Sequence, residues 1–371
     1  MFNELKAKVL LNMIPEIGSI RANNLLTHFG SAAAVLESNI NELQSVEDIG
    51  PGLAKKIIEG REKIDIEKEL DCAKKSGVEI IVSDSQKYPP QLKVISDPPI
   101  VIYAWGKFVP DDIFSVAMVG TRKPTSYGLI VVEKLTREFS EMNVTVVSGL
   151  ARGIDTKAHW TAIKSGGRTI AVLGNGLNRY YPPENSRLEK VIAENSGVVL
   201  SEFPMNVSPD RSNFPRRNRL IAALSLGTIV VEGDEKSGAL ITARCSVEQG
   251  KDVFAVPGSI FSKYSRGPHR LIKYGAKLVE SAEDIVEEIS VLAEQIKKGT
   301  KERKKSREEL PLLNSLEKDI LSDIEGQPEG MSIDKLQELT KRRFSELSEP
   351  LISLEMKGLI KSIPGKAYVK I

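Results

Sequence analysis

A doubly wound α/β fold is predicted for the central part of this chain, with one helical region before it and a second small one after it. Three observations carry that prediction. Between about residues 77 and 296, nine short β-branched runs alternate with amphipathic stretches of helical period. The runs are apolar on both faces, as strands are when helices cover a mostly parallel sheet on both sides. At 371 residues the chain exceeds one ordinary domain, and 41% hydrophobic with 27% charged residues is the balance of a folded chain rather than a disordered one.

In the first region, 1–70, "IPEIGSIRANNLLTHFG" is followed by "VEDIGPGLAKKIIEG". Each reads as an apolar residue, a tight glycine turn and a helix that starts with small residues. Paired units of this kind resemble helix-hairpin-helix motifs (a SAM-like tandem), whose turn offers backbone N–H groups to a nucleic-acid phosphate at the positive end of a helix. A small helical bundle using Gly18, Gly50 and Gly52 only as helix punctuation satisfies the same pattern.

The second region, 77–296, supplies the sheet. Its expected strands are "EIIVS", "PIVIYAWG", "FSVAMVG", "VTVVSG", "RTIAVLG", "VVLSE", "TIVVEG", "DVFAVPG" and "KLVES", with helices such as "YGLIVVEKLTREFSEM", "GIDTKAHWTAIKSG" and "GALITARCSVEQG" between them. Residues 297–310 read as a charged linker: "KKGTKERKKSREE" holds seven Lys/Arg against three Glu and no apolar residue. The last region, 311–371, reads as three helices, "LNSLEKDILSDI", "SIDKLQELT" and "FSELSEPLISLEMKGLI", and a terminal hairpin turned at Pro364 and Gly365. That is a winged helix-turn-helix, a module that often lays a helix in the DNA major groove. With Asp334 and Glu338 and few basic residues, its second helix suits phosphate poorly, so a protein-interaction or structural role stands beside the DNA-binding one.

Several classes are disfavoured. Cys72 and Cys245 lie far apart with no C-x-x-C partner, and the only histidines are His28, His159 and His269, so neither a disulfide framework nor a metal site is expected. No apolar run approaches the roughly eighteen residues of a membrane span, and the N-terminus "MFNELKAKVLLNMIPEIG" has no cleavage-type signal pattern. A cytoplasmic protein is expected, with no membrane partner. Net charge is only +2, so local distribution is more informative than the total.

Ligands of a doubly wound sheet bind beyond the carboxyl ends of its strands. There, "VAMVG" runs into Thr121-Arg122-Lys123, "TVVSG" into Leu150-Ala151-Arg152-Gly153 and a helix, and "IAVLG" into Asn175-Gly176. "TIVVEG" is preceded by "NFPRRNRLIAALS" and followed by Asp234 to Gly238 and a helix, while "FAVPG" ends in Pro257-Gly258. One glycine after a strand is usually only a turn. Four or five on one sheet edge point to a phosphate-binding cleft, because glycine admits a close ligand and helix-start amides bind anions. Arg122 and Arg152 add forked donors suited to phosphate.

No G-x-x-x-x-G-K-[ST] loop or G-x-G-x-x-G fingerprint occurs, so neither ATP hydrolysis nor NAD binding has a visible basis, and no cofactor is expected. There is no G-x-S-x-G elbow, and Ser148 lacks an evident base. His159 follows Asp155 by four residues on an expected helix, a spacing that allows a local pair more readily than an acid–base dyad.

"MVGTRKPTSYG", "VVSGLARGIDTKAH", "AVLGNGLNRYYPPEN", "LSEFP", "FPRRNRLIAALS", "TIVVEGDEKSGALITA" and "VFAVPGS" resemble, in order and nearly in wording, the DNA-processing protein A family, also called DprA or Smf, over roughly residues 80–280. That resemblance implies an extended Rossmann-like domain and a non-enzymatic, single-stranded-DNA-binding recombination mediator. It would protect incoming strands and help load a RecA-type recombinase in natural transformation, as a homodimer through the Rossmann-like domain. The implied site follows residue by residue. Arg122, after Gly120, and Arg211 bind phosphate, Phe214 stacks on a base, and Arg217 and Asn218 belong to the R-N-R core. The turn Ser148, Gly149, Arg152, Gly153, together with Ser237 and Gly238, offers further backbone and side-chain donors. A sequence-independent cleft needs both phosphate donors and an aromatic platform, and the segment 211–219 supplies both.

The sequence departs from the family at Ala223, where Gly is usual, and at His269, where Asn is usual; the latter puts a pocket contact and a pH dependence near neutrality in question. Arg216 has no family counterpart and reads as a solvated first-turn residue, and Arg219 reads as an anchor to an acidic neighbour such as Glu232. The rival reading is a nucleotide-cleaving phosphoribohydrolase using Glu232 or Asp234, although the P-G-G-x-G-T-x-x-E string of such enzymes is absent.

Overall fold

The computed structural model describes residues 3–297, 313–325, 330–357, 359–363 and 367–370. They divide into two compact units, 1–296 and 297–371.

All nine expected strands form: β1 Val78–Val82, β2 Val101–Gly106, β3 Ser115–Val119, β4 Thr145–Ser148, β5 Thr169–Leu173, β6 Gly197–Ser201, β7 Gly227–Val230, β8 Asp252–Ala255 and β9 Lys277–Leu278. They make one sheet in the order β1-β2-β6-β5-β4-β3-β7-β8-β9. From β6 to β9 every pairing is parallel, while β2 runs antiparallel to both its neighbours. The chain winds outward from β3 to β6, then crosses back to place β7 beside β3. That reversal opens a crevice at the carboxyl ends of β3 and β7, where a doubly wound sheet binds its ligand.

Strand side chains alternate between faces, and the core follows that alternation. Up to residue 248 the α-helices are α1 Glu4–Met13, α2 Ser19–Phe29, α3 Ala32–Glu37, α4 Ile40–Gln44, α5 Pro51–Lys63, α6 Ile66–Lys75, α7 Pro90–Lys93, α8 Ser126–Glu141, α9 Ile154–Lys164, α10 Ser186–Val191, α11 Asn213–Leu224 and α12 Gly238–Glu248. Val116, Met118 and Val146 lie against α8 and α9. Ala117, Val119 and Val147 lie against α11 (Asn213–Leu224) and α12 (Gly238–Glu248). Lys251 Nζ donates to the carbonyls of Ala222 (2.9 Å), Ala223 (2.5 Å) and Ser225 (2.7 Å), covering the orphan acceptors at the C-terminus of α11. Ala223 is fully buried, so its departure from the family is a core contact and not a surface one.

The first region is a tandem of helical hairpins. Helices Glu4–Met13 and Ser19–Phe29 flank the first turn, Ile40–Gln44 and Pro51–Lys63 the second. The repeat extends to the backbone: Glu16 (φ 71°) and Asp48 (φ 64°) hold left-handed conformations at matching places, each two residues before a glycine N-cap, Gly18 or Gly50. These helices share one continuous apolar core with β1, β2, β5 and β6. Polar ties reinforce it. Asn12 donates to Glu202 O (3.1 Å), Asn23 to Pro98 O (2.8 Å), and Met205 N–H to Glu69 Oε1 (2.7 Å). Arg219 is the largest tie: its Nη2 donates to Ser19 Oγ at 2.7 Å and to Glu202 Oε2 at 2.5 Å, and its Nε pairs with Asp97 at 2.9 Å. It is therefore an anchor, as expected, but not to Glu232.

In the second unit, helices Ser315–Glu325, Ile333–Thr340 and Phe344–Met356 enclose Ile320, Leu336, Leu347 and Leu351. Ile360–Ile363 and Ala367–Lys370 form the expected wing, and Met331–Ser332 adds a third strand beside it. Phe344–Met356 exposes Glu346, Glu349 and Glu355 and contains no Lys or Arg, so it offers no cationic side chain to a phosphate. The expected linker beyond Lys297, and the turn at Pro364 and Gly365, lie outside the described residues.

Candidate nucleic-acid cleft

The crevice at the β3–β7 reversal has a volume of about 740 Å³. Gly120, Thr121 and Arg122 enter it from the end of β3, Asp234 and Lys236 to Ala239 from the end of β7, Arg211 from just before α11, and Phe214, Arg217 and Asn218 from its start. Two of the expected basic residues meet at one aromatic ring. The Arg122 guanidinium lies 5.6 Å from the Phe214 centroid and that of Arg217 lies 5.9 Å from it. Arg211 lines the same cleft. Arg122 and Arg211 are exposed, and neither forms an ion pair among the described residues. Phe214 sits directly on Gly174: a Cβ there would come within 2.7 Å of the ring.

Tyr181 was not anticipated from the sequence. Its ring lies 5.4 Å from Phe214 at an interplanar angle of 31°, so the cleft holds two aromatic faces rather than one. The signal was available in "RYYPPEN" after β5, but nothing local says that this loop folds back over α11.

Arg217 is a different kind of residue from Arg122. It is 5% exposed, its Nη1 donates to the carbonyls of Gly149 (2.8 Å) and Val172, and its Nε donates to Asn218 Oδ1 at 3.2 Å. Asn218 in turn donates to Gly238 O at 3.3 Å. Across Gly149 from Arg217 stands Asp155; a Cβ on that glycine would lie 2.8 Å from Arg217 Nη2 and 2.9 Å from Asp155 Oδ2. Burial pushes the Asp155 carboxyl up to about 6 against the pull of Arg217, and burial draws Arg217 down to about 10.

This network corrects the expectation for the turn after β4. Its amides do not stand open to an external anion, because Gly149 N–H (3.1 Å) and Ala151 N–H (3.3 Å) both donate to Asp155 Oδ2. Ser148 is fully buried and its hydroxyl donates to Met118 O at 2.6 Å. Arg152 lines a small cavity beside the cleft and not the cleft itself, and Glu184 pairs with it, at 3.1 Å through Nη2 and also through Nε, offsetting its charge. Asp155 and His159 do not pair. His159 is buried against Thr169 Oγ1 at 2.6 Å, and burial takes its pKa down to about 3.

Gly153 has φ +81°, and a Cβ would collide with Thr121 O and lie 2.8 Å from the Arg122 carbonyl carbon. Gly153→Ala is expected to cost about 1–3 kcal/mol and to displace Arg122. A thermal melt lowered by several degrees checks it. By contrast, a Cβ on Gly238 faces open space, so Gly238→Ala should melt as the parent does. Ser237 caps α12, accepting from Ala239 N–H at 3.3 Å.

Glu232 does not line the cleft. Its carboxylate accepts from Thr125 N–H (2.9 Å) and Oγ1 (2.5 Å) at the start of α8, and it is 3% exposed. A catalytic carboxylate must reach its substrate, so of the two carboxylates the hydrolase reading named, Glu232 is withdrawn from the cleft and only the exposed Asp234 lines it. Arg216 is exposed but not merely solvated: its guanidinium lies 5.3 Å over Phe203. His269 Nε2 is 3.1 Å from Gly258 O, in the loop after β8, and does not line the cleft.

Comparison with known proteins identifies the family and its domains. Residues 8–63 match a SAM-like helix-hairpin-helix tandem and residues 304–366 the DprA winged helix domain. The chain is 47% identical to DNA processing protein DprA of Bacillus subtilis over 59% of its own length and 74% of the relative's. It is 38% identical to protein Smf of Escherichia coli over 82% and 81%. The X-ray structure of DNA processing protein A from Streptococcus pneumoniae superposes with a TM-score of 0.64 at 35% identity, covering 77% of this chain and 96% of that one. The Helicobacter pylori protein, whose structure concerns its single-stranded DNA binding mode, gives 0.52 at 28% identity, covering 58% and 96%. With residues 79–290 matching the family of DNA recombination-mediator protein A, this chain belongs to the DprA/Smf family.

Proposed function

We propose that this protein binds single-stranded DNA in the cleft, without sequence preference, and acts as a recombination mediator rather than an enzyme. One observation carries the reading: Arg122 and Arg211, both unpaired among the described residues, share one cleft with the aromatic face of Phe214. Such a site neutralises phosphates and stacks a base of any identity. The single-stranded DNA binding of the Helicobacter pylori relative supports it.

Further steps rest on the family. The protein would protect incoming strands in the cytoplasm and pass them to a RecA-type recombinase during natural transformation. It would do so as a homodimer; β9 ends the sheet with an open edge, beside which Tyr274 is 77% and Leu278 45% exposed.

Fluorescence anisotropy with labelled single and double strands across a salt series tests the binding step. Preference for single strands is expected, with affinity falling linearly on a log–log salt plot. Salt-insensitive or absent binding would refute it, and AMP turnover abolished by Asp234→Asn would return the hydrolase reading.

A further inference from the structure

A second groove, of about 780 Å³, lies between α8 and α9, on the sheet face opposite α11. Helical period lays out its walls. On α9, Lys157, Trp160 and Lys164 are three and four residues apart and share one face; on α8, Glu133 and Arg137 do the same. Arg187, from the helix Ser186–Val191, completes the set. Four cations thus meet one carboxylate. Glu133 is engaged by Lys157 at 2.5 Å and Arg137 at 3.3 Å, whereas Lys164 and Arg187 are exposed and form no ion pair among the described residues. Trp160 packs one side on the core and is only partly covered.

The groove adjoins the cleft through one packed segment. Gly153 lines its upper end, and that glycine is the residue pressed against the backbone of Thr121 and Arg122. Lys157 and Lys164 are about 10 Å apart along the helix axis, with the tryptophan between. A compact anion needs donors converging on a point. Cations strung along a line with an aromatic face among them suit a linear polyanion that carries stackable bases.

We propose that a single strand held in the cleft continues into this groove, where Lys164, Arg187 and Trp160 form a second subsite. The inference rests on the reading of the cleft given above, and the test separates the two. The double variant Lys164→Glu/Arg187→Glu and the parent protein are titrated with labelled oligothymidylates of about 6 and about 25 nucleotides, one able to fill the cleft alone and one able to extend beyond it. The variant should bind the short strand as the parent does and the long strand about tenfold more weakly. Its salt slope for the long strand should be shallower by about 1.4, two charges at about 0.7 each. Equal affinity and slope at both lengths, or equal loss at both, would overturn the subsite while leaving the cleft. Failure of the parent to bind either strand would overturn both. Because Trp105 and Trp160 are the only tryptophans, Trp105→Phe leaves Trp160 as a reporter. Its fluorescence should be quenched by the long strand and not by the short one. Quenching by polyglutamate but not by the long strand would instead assign the groove to an acidic protein segment.

Discussion

Replacing Phe214 with alanine should weaken single-strand binding about five- to 150-fold, the equivalent of one base–aromatic stack at about 1–3 kcal/mol, and leave the melting temperature close to that of the parent. The ring is half-buried, lying on Gly174 and against Tyr181, so its loss empties part of an open cleft rather than a sealed core. Stacking involves no counterions, so the salt slope should stay where it was. Arg122→Ala is the complementary change: a modest loss of affinity with a slope shallower by about 0.7. Anisotropy titrations at four or five salt concentrations read both quantities. Should Phe214→Ala flatten the slope, or bind as tightly as the parent, the ring is not a base platform. Phe214→Trp keeps a π-face and should restore most of the affinity.

The strands were legible because each is a short β-branched run bounded by turn residues, and all nine lie where those runs lie. The antiparallel direction of β2 was not, since an apolar run reads the same either way; only its pairing with Ser201 to Val198 of β6 fixes it. At the site, convergence of glycine-ended strands on one edge was readable, and Arg122, Arg211 and Phe214 do line one cleft. What each glycine does was not. Gly149 is small because a guanidinium and a carboxylate close over it, and that carboxylate belongs to a residue six positions on. The donors of that turn looked available in sequence because a donor's partner is a tertiary fact. Asp155 takes the amides, Glu184 takes Arg152 from 32 residues away, and Glu202 with Asp97 takes Arg219. Charged side chains could be placed on the correct edge by strand pattern alone, but whether they face solvent or each other depends on long-range packing.

Arg217 turns that distinction into a measurable result. If it were mainly a phosphate ligand, Arg217→Met would lower affinity and spare folding. Its burial and its donations to Gly149 and Val172 carbonyls assign it to the floor of the cleft, so the same change should destabilise the protein by about 1–3 kcal/mol, the cost of leaving those buried carbonyls without a donor and the Asp155 carboxylate without a nearby positive charge. Urea unfolding reads it. Asp155→Asn should be destabilising for the reciprocal reason, and in the double variant the two losses should fall well short of additive, since no unpaired charge remains. The pH dependence has a definite sign. With its folded pKa raised from 3.8 to about 6, Asp155 takes up a proton in the native state before the unfolded chain does. Its contribution is therefore most favourable below about pH 4 and is lost as pH rises through about 6. Removing Arg217 raises that pKa further, so the deficit of Arg217→Met should be largest near pH 7 and shrink steadily as the buffer is taken down to pH 5. A deficit independent of pH, with strictly additive losses in the double variant, would mean that the two groups do not sense each other and that Arg217 is held by its carbonyl partners alone.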